Sequence, residues 1–157
     1  MQDLINAAAL PVYLKIDVLV PGAGDPLARI EMAVRRIDRL RRMRTAPASS
    51  FVLLDDQIAG DAQRANLVRR VAVENDISIV WQRPCFEAVL LRHLPGRTAH
   101  RPPDTREAGR ALTREWPEYA KPMSRAFLAR RIDLPAILRA AQVEPEIAAL
   151  LRCLRLA

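Results

Sequence analysis

Apolar and polar positions change their spacing repeatedly along the first 96 residues. Residues 11–20 (PVYLKIDVLV) alternate in part and are rich in β-branched side chains, which predicts a strand. Pro21-Gly22-Ala23-Gly24 breaks the chain, and Asp25-Pro26 is a strong helix start. An Asp side chain accepts from free backbone N–H groups, and Pro fits the first helical position because its missing N–H has no helical partner there. Leu27, Ile30, Val34, Ile37 and Leu40 then recur at steps of three and four, which is one face of a helix. Residues 45–50 (TAPASS) end it. Residues 51–54 (FVLL) form a short continuous apolar run that stops at Asp55-Asp56, the pattern of a buried central strand. Gly60-Asp61 opens a second helix with Ala65, Val68 and Ala72 facing inward; residues 77–81 (ISIVW) predict a third strand and residues 84–94 (PCFEAVLLRHL) a third helix. The order β-α-β-α-β-α predicts an α/β fold, a small and mostly parallel sheet flanked by helices.

Beyond Pro95-Gly96 the periodic pattern stops. Residues 97–105 (RTAHRPPDT) are polar and rich in proline, which disfavours regular structure. Short helices are predicted over about 105–116, 124–131, 134–142 and 145–154, with Pro135 and Pro145 near helix starts. The expected organisation is an α/β core over 1–96 and a helical extension over 97–157 packed on it in one compact domain.

Composition narrows the class. The chain has 157 residues, enough to bury a core without staples. Aromatics are scarce at 4%, so the core is expected to be built mainly from Leu, Ile, Val and Ala. The formal charge of +7 favours an anionic partner such as nucleic acid. Only Lys15 and Lys121 among the 25 basic residues are lysine, a bias that a GC-rich genome would also produce. Cys85 and Cys153 form neither a disulfide framework nor a metal cluster. Residues 1–10 lack the basic segment of a secretory signal, and no stretch approaches the ~20 apolar residues of a bilayer span. A cytoplasmic protein with no membrane partner is expected; nucleic acid, a protein partner or a second copy of the chain remain.

Four groups of residues bear on chemistry. Asp55-Asp56 end a strand, and parallel α/β sheets bind ligands at the carboxyl ends of their strands. Two carboxylates there suit Mg²⁺; the same pair would serve equally to begin a solvated turn. Glu87 lies in the first turn of the third helix, where the helix dipole stabilises a carboxylate or where it would face the strand ends as a further ligand. His93, six residues on, is turned ~120° around the helix from Glu87, and a lone His near a helix end is commonly structural. Cys85 has no marked His or Asp partner and reads as a small buried hydrophobe. Arg35, Arg36, Arg39, Arg41, Arg42 and Arg44 line the outer side of the first long helix, a face for phosphates or simply the solvated side of an amphipathic helix.

Residues 77–94 (ISIVWQRPCFEAVLLRHL) resemble the signature of the RloB-like proteins: a strand, an Asn-Pro-Cys-Phe-Glu-type turn, and a helix ending in His. Here Arg83 stands in place of the usual Asn, with Pro84, Cys85, Phe86, Glu87 and His93 in register. Residues 51–55 look like the family's strand leading into Asp-x-Asp, and Tyr119-Ala-Lys121 with the final helices is similar to its C-terminal region. The likeness covers most of the chain from about Val12 and is specific over residues 84–93. It implies a Toprim-like fold, an association with prokaryotic restriction and abortive infection, and Mg²⁺-dependent cutting or joining of phosphodiesters. On that implication Asp55, Asp56 and Glu87 are metal ligands, His93 joins them in catalysis, and Lys121, Arg35, Arg36, Arg39 and Arg42 hold nucleic acid. Two departures weaken the metal site. The family's Glu-Gly-x-x-Thr-Glu segment has no counterpart in the eleven residues before Val12, and Gln57 stands where the second acid of Asp-x-Asp falls. The expectation is therefore a nucleic-acid- or nucleotide-binding protein, either a weakened Mg²⁺-dependent nuclease or a non-catalytic interaction module.

Overall fold

Asp25 starts the first helix as its chemistry predicts. In the computed structural model, which describes residues 12–19, 25–56 and 60–156, its carboxylate accepts from the backbone N–H of Leu27 at 3.1 Å and Pro26 occupies the first turn. Helix α1 (Pro26–Arg42) buries Ile30, Ala33 and Ile37, with Leu27 and Val34 partly buried beside them. Strand β1 (Ser50–Asp55) follows. Helix α2 (Ala62–Glu74) is capped by Asp61, which accepts from the Arg64 N–H at 2.9 Å, and buries Ala65, Val68 and Ala72. The turn into strand β2 (Ile77–Gln82) passes through Asp76 at φ 57°, a left-handed conformation that Asp tolerates better than branched residues.

Strands β1 and β2 form a two-stranded parallel sheet joined by α2. Ile30, Ile37, Val52, Leu54, Val68, Ile77 and Trp81 share one core. Complete burial of side chains such as Ile30, Leu54 and Val68 contributes about 1.5–3 kcal/mol each, and α1 packs on both β1 and α2.

Two expectations are corrected here. Residues 12–19 form no strand: Tyr13, Ile16 and Val18 are 90%, 67% and 83% exposed. Strand propensity reports a side chain's fit to a pleated, half-buried surface. This segment is held instead by Leu19 on the core and by Asp17, which accepts from Arg36 Nε at 3.0 Å. The sheet consequently has two strands among the described residues, and β1 is not a central strand covered on both faces. Val52 and Leu54 are buried while Leu53 between them is 52% exposed, because successive side chains of a strand point to opposite faces. The break predicted at Pro21–Gly24, residues 1–11, Val20 and Gln57 lie outside the described residues.

The chain divides into two compact units, one spanning Lys15–Trp81 and one containing Gln82–Ala157. The second is helical: α3 (Phe86–His93), α4 (Thr105–Glu115), α5 (Arg125–Ala129), α6 (Leu134–Ala141) and α7 (Pro145–Cys153). Asp104, Ser124 and Asp133 cap α4, α5 and α6 by accepting backbone N–H groups at 2.8, 3.2 and 2.8 Å. Helix α3 is buried from Glu87 to His93 and packs on α4 and α6, while α6 packs on α7. Leu90, Leu91, Leu94, Leu112 and Trp116 form this unit's core. Among the described residues there are seven helices, and none is long and apolar enough to cross a membrane.

Candidate functional site

Helix α3 poses a physical problem, since a helix buried all round needs a partner for each polar group it carries. It carries three: Glu87, Arg92 and His93. Each finds its partner far away in sequence or in its own backbone.

Glu87 sits in the first turn of α3, two residues after the Cys85 N-cap position. Its Oε1 forms an ion pair with Lys121 Nζ and accepts from the Tyr119 hydroxyl at 3.3 Å. Burial pulls the Glu87 carboxyl upward, but the Lys121 ammonium, the residue's own backbone N–H and the Cys85 thiol outweigh it and hold it below the usual carboxylate range. The same contacts act oppositely on the neighbours. Burial, then the Glu87 charge and hydrogen bond, push the Tyr119 phenol up to about 12. Burial, reinforced by Glu87, also raises the Cys85 thiol, which makes it a poor nucleophile at neutral pH.

His93 ends α3. Its Nδ1 lies 2.7 Å from the Val89 carbonyl oxygen, which can only accept, so Nδ1 carries the proton. Burial lowers its pKa and the Arg92 and Arg139 charges add to this, against the bond to Val89. A base whose folded-state pKa is depressed takes up protons more readily when unfolded. Stability is therefore fully present above the ordinary imidazole range and falls as pH drops through it, from about 6.5 downward. Urea unfolding at pH 7.5 and 5.5 should show a loss of at most about 1.4 kcal/mol per pH unit. His93→Asn keeps a donor for the Val89 carbonyl and should flatten this dependence; an unchanged slope would assign it to other groups.

Arg92 is fully buried, a position that spacing did not reveal. Its Nε stands 2.6 Å from Glu144 Oε1 and its Nη2 donates to the Arg83 carbonyl at 3.1 Å. The Nε–H makes no aligned hydrogen bond among the described residues, so the Glu144 contact acts as an ion pair despite its short separation. Glu144 also meets Arg101 Nη2 at 3.3 Å, and Arg83 pairs with Glu146 at 3.3 Å.

The acidic positions of the other unit have a different setting. Asp55 is the last residue of β1, and Asp56 follows it; both are half-buried and neither is without an interaction. Asp55 and Asp56 belong to the Lys15–Trp81 unit, and Glu87, His93 and Lys121 to the other. Among the described residues no group of three or more His, Cys, Asp or Glu assembles as a metal-ligand set. The Glu87 oxygen that the Mg²⁺ reading assigns to the ion is held by Lys121 and Tyr119.

On α1, Arg35, Arg36, Arg39, Arg41 and Arg42 are all exposed, as is Arg44 beyond its end. Arg36 pairs with Asp17 at 3.0 Å, and Arg41 with Asp38 at 3.1 Å and Asp76 at 3.9 Å. Arg35, Arg39 and Arg42 meet no acidic side chain among the described residues. Lys121, expected to hold phosphate, is committed to Glu87. That pairing spans 34 positions, and neither residue's neighbourhood in the chain signals it. No protein-family model, curated protein or solved structure matches this chain.

Proposed function

We propose that the chain is a non-catalytic, nucleic-acid-binding relative of the RloB-like proteins, which holds a phosphate backbone on the exposed face of α1. One observation carries the reading: Arg35, Arg39 and Arg42 lie at steps of four and three on one helical face, exposed and without acidic partners among the described residues. Their neighbours Arg36 and Arg41 are already matched by acids. The stripe climbs about 10 Å of helix, close to three base steps of about 3.4 Å along one strand. Arginine suits the task because its planar fork of N–H donors matches phosphate oxygens. The chain's net charge of +7 favours encounter with such a partner.

Support for the kinship comes from residues 77–93, where a strand leads through Cys85 at an N-cap position into a helix with Glu87 in its first turn and His93 as its last residue. The loss of catalysis is favoured by the engagement of Glu87 with Lys121 and Tyr119.

Fluorescence anisotropy with labelled duplex DNA, single-stranded DNA and tRNA tests the reading. With three phosphates neutralised, the plot of log affinity against log salt for duplex should have a slope of about −2.7. Arg39→Gln should reduce its magnitude by about 0.9, while Arg36→Gln changes it less because that arginine is already paired. The labelled strands should stay intact on incubation with Mg²⁺. Binding that is absent or insensitive to salt would remove α1 as the nucleic-acid face; cleavage would restore the nuclease reading.

A further inference from the structure

Residues 97–103 and helix α4 enclose a cleft of about 150 Å³ over a floor of Leu91 and Ala111. It admits a small oxyanion and falls below the roughly 300 Å³ at which drug-sized ligands begin to fit.

The charges around the cleft do not balance. Arg97 is matched by Glu115, and Glu107 by Arg110 at 2.8 Å. Glu144, however, is one carboxylate between two guanidiniums, Arg92 at 2.6 Å and the cleft-lining Arg101 at 3.3 Å. Arg114 lines the cleft and meets no acid among the described residues. The neighbourhood thus holds an excess of two positive charges. Arg92, completely buried and sharing Glu144 with Arg101, also has an Nη1 without a hydrogen-bond partner among the described residues. Arg101 is held in place by its Nη1, which donates to the Thr98 and His100 carbonyls at 3.0 and 3.1 Å. Its Nη2 lies against Glu144 and the Val143 carbonyl, the latter at 3.5 Å, so of the five N–H donors of the guanidinium the Nε–H is the one left for a ligand.

We propose that this cleft binds a phosphate-sized dianion between Arg114 and Arg101, either inorganic phosphate or the phosphoryl terminus of a nucleotide. The dianion supplies the two negative charges that the surrounding acids do not. Arg114 is the principal donor, because it alone among the three lining arginines has no acid to surrender. The proposal does not depend on the arginine stripe of α1.

Isothermal titration of the full chain with sodium phosphate, at constant ionic strength set with chloride, is the test. One site per chain is expected. Arg114→Gln should weaken it about tenfold, the scale of one lost charge-assisted hydrogen bond. Arg70→Gln, which removes an exposed positive charge from α2, outside both arginine sites, should leave it as in the parent. Ala111→Leu, which fills the floor without removing a charge, should weaken it as well. Parallel titrations with a nucleoside 5′-monophosphate, and with 5′-phosphorylated against 5′-hydroxyl oligonucleotides, identify the source of the phosphoryl group. A preference for the phosphorylated strand marks a nucleotide terminus, and binding of phosphate alone marks the free ion. Absence of saturable phosphate binding, or equal affinity in the parent, Arg114→Gln and Ala111→Leu proteins, overturns the proposal.

Discussion

Glu144→Gln should lower the unfolding free energy by about 3–5 kcal/mol, the usual cost of leaving a buried charge without its partner. The charge at stake is Arg92, with no exposed surface, whose acidic contact is Glu144 at 2.6 Å. Gln keeps the size and loses the charge, so the effect reports electrostatics rather than packing. Arg101 meets the same carboxylate but is half-exposed, and water can replace what it loses. A second substitution isolates the cause. Arg92→Met removes the buried cation and fills much of its volume, and in the Glu144→Gln background it should recover a large part of the loss, since replacing both members of a buried pair is often close to neutral. Urea unfolding followed by circular dichroism measures the parent and both variants. A Glu144→Gln loss below about 1 kcal/mol would mean that solvent reaches Arg92 and that the pair is ordinary surface chemistry.

Trp116→Ala should cost about as much, 3–5 kcal/mol, through a different term. Trp116 is 1% exposed, stacks on Phe127 with ring centroids 5.8 Å apart and planes 9° apart, and lies 6.0 Å from Tyr119. The Arg131 guanidinium stands 5.7 Å from its ring centroid. Truncation opens a cavity where the end of α4, residues 117–123 and α5 meet, and α5 has only five residues with which to hold itself. Domains are stable by about 5–15 kcal/mol, so this single change should approach the limit of folding for a marginal chain. Trp116→Phe keeps a ring against Phe127 and should cost clearly less. Hydrogen exchange adds a spatial readout: protection should fall first at α5. Uniform loss throughout the Gln82–Ala157 unit would show instead that α5 unfolds only with the rest of that unit.

The candidate sites differ in how readable they were from the chain. The arginine stripe of α1 was legible because Asp25-Pro26 sets the helix start and the 3.6-residue period sets its faces, both local rules. The Glu87–Lys121–Tyr119 group was not, because each partner alone looks like a surface residue and nothing in spacing brings positions 119 and 121 to position 87. Arg92 was invisible for a related reason: in residues 86–93 it falls at a position that an amphipathic helix would leave to solvent, whereas α3 is enclosed by α4 and α6.

By itself the sequence determined where helices begin, which faces of α1 and α2 turn inward, and the βαβ order of the strands that form. Those properties depend on backbone groups and side chains a few residues apart. Tertiary structure alone decided that residues 12–19 stay outside the sheet, that Leu53 faces solvent, and that the polar residues of α3 are buried. Each of these depends on whether another segment arrives to cover a surface. Desolvation and ion pairing act through that proximity in space, which local periodicity does not encode.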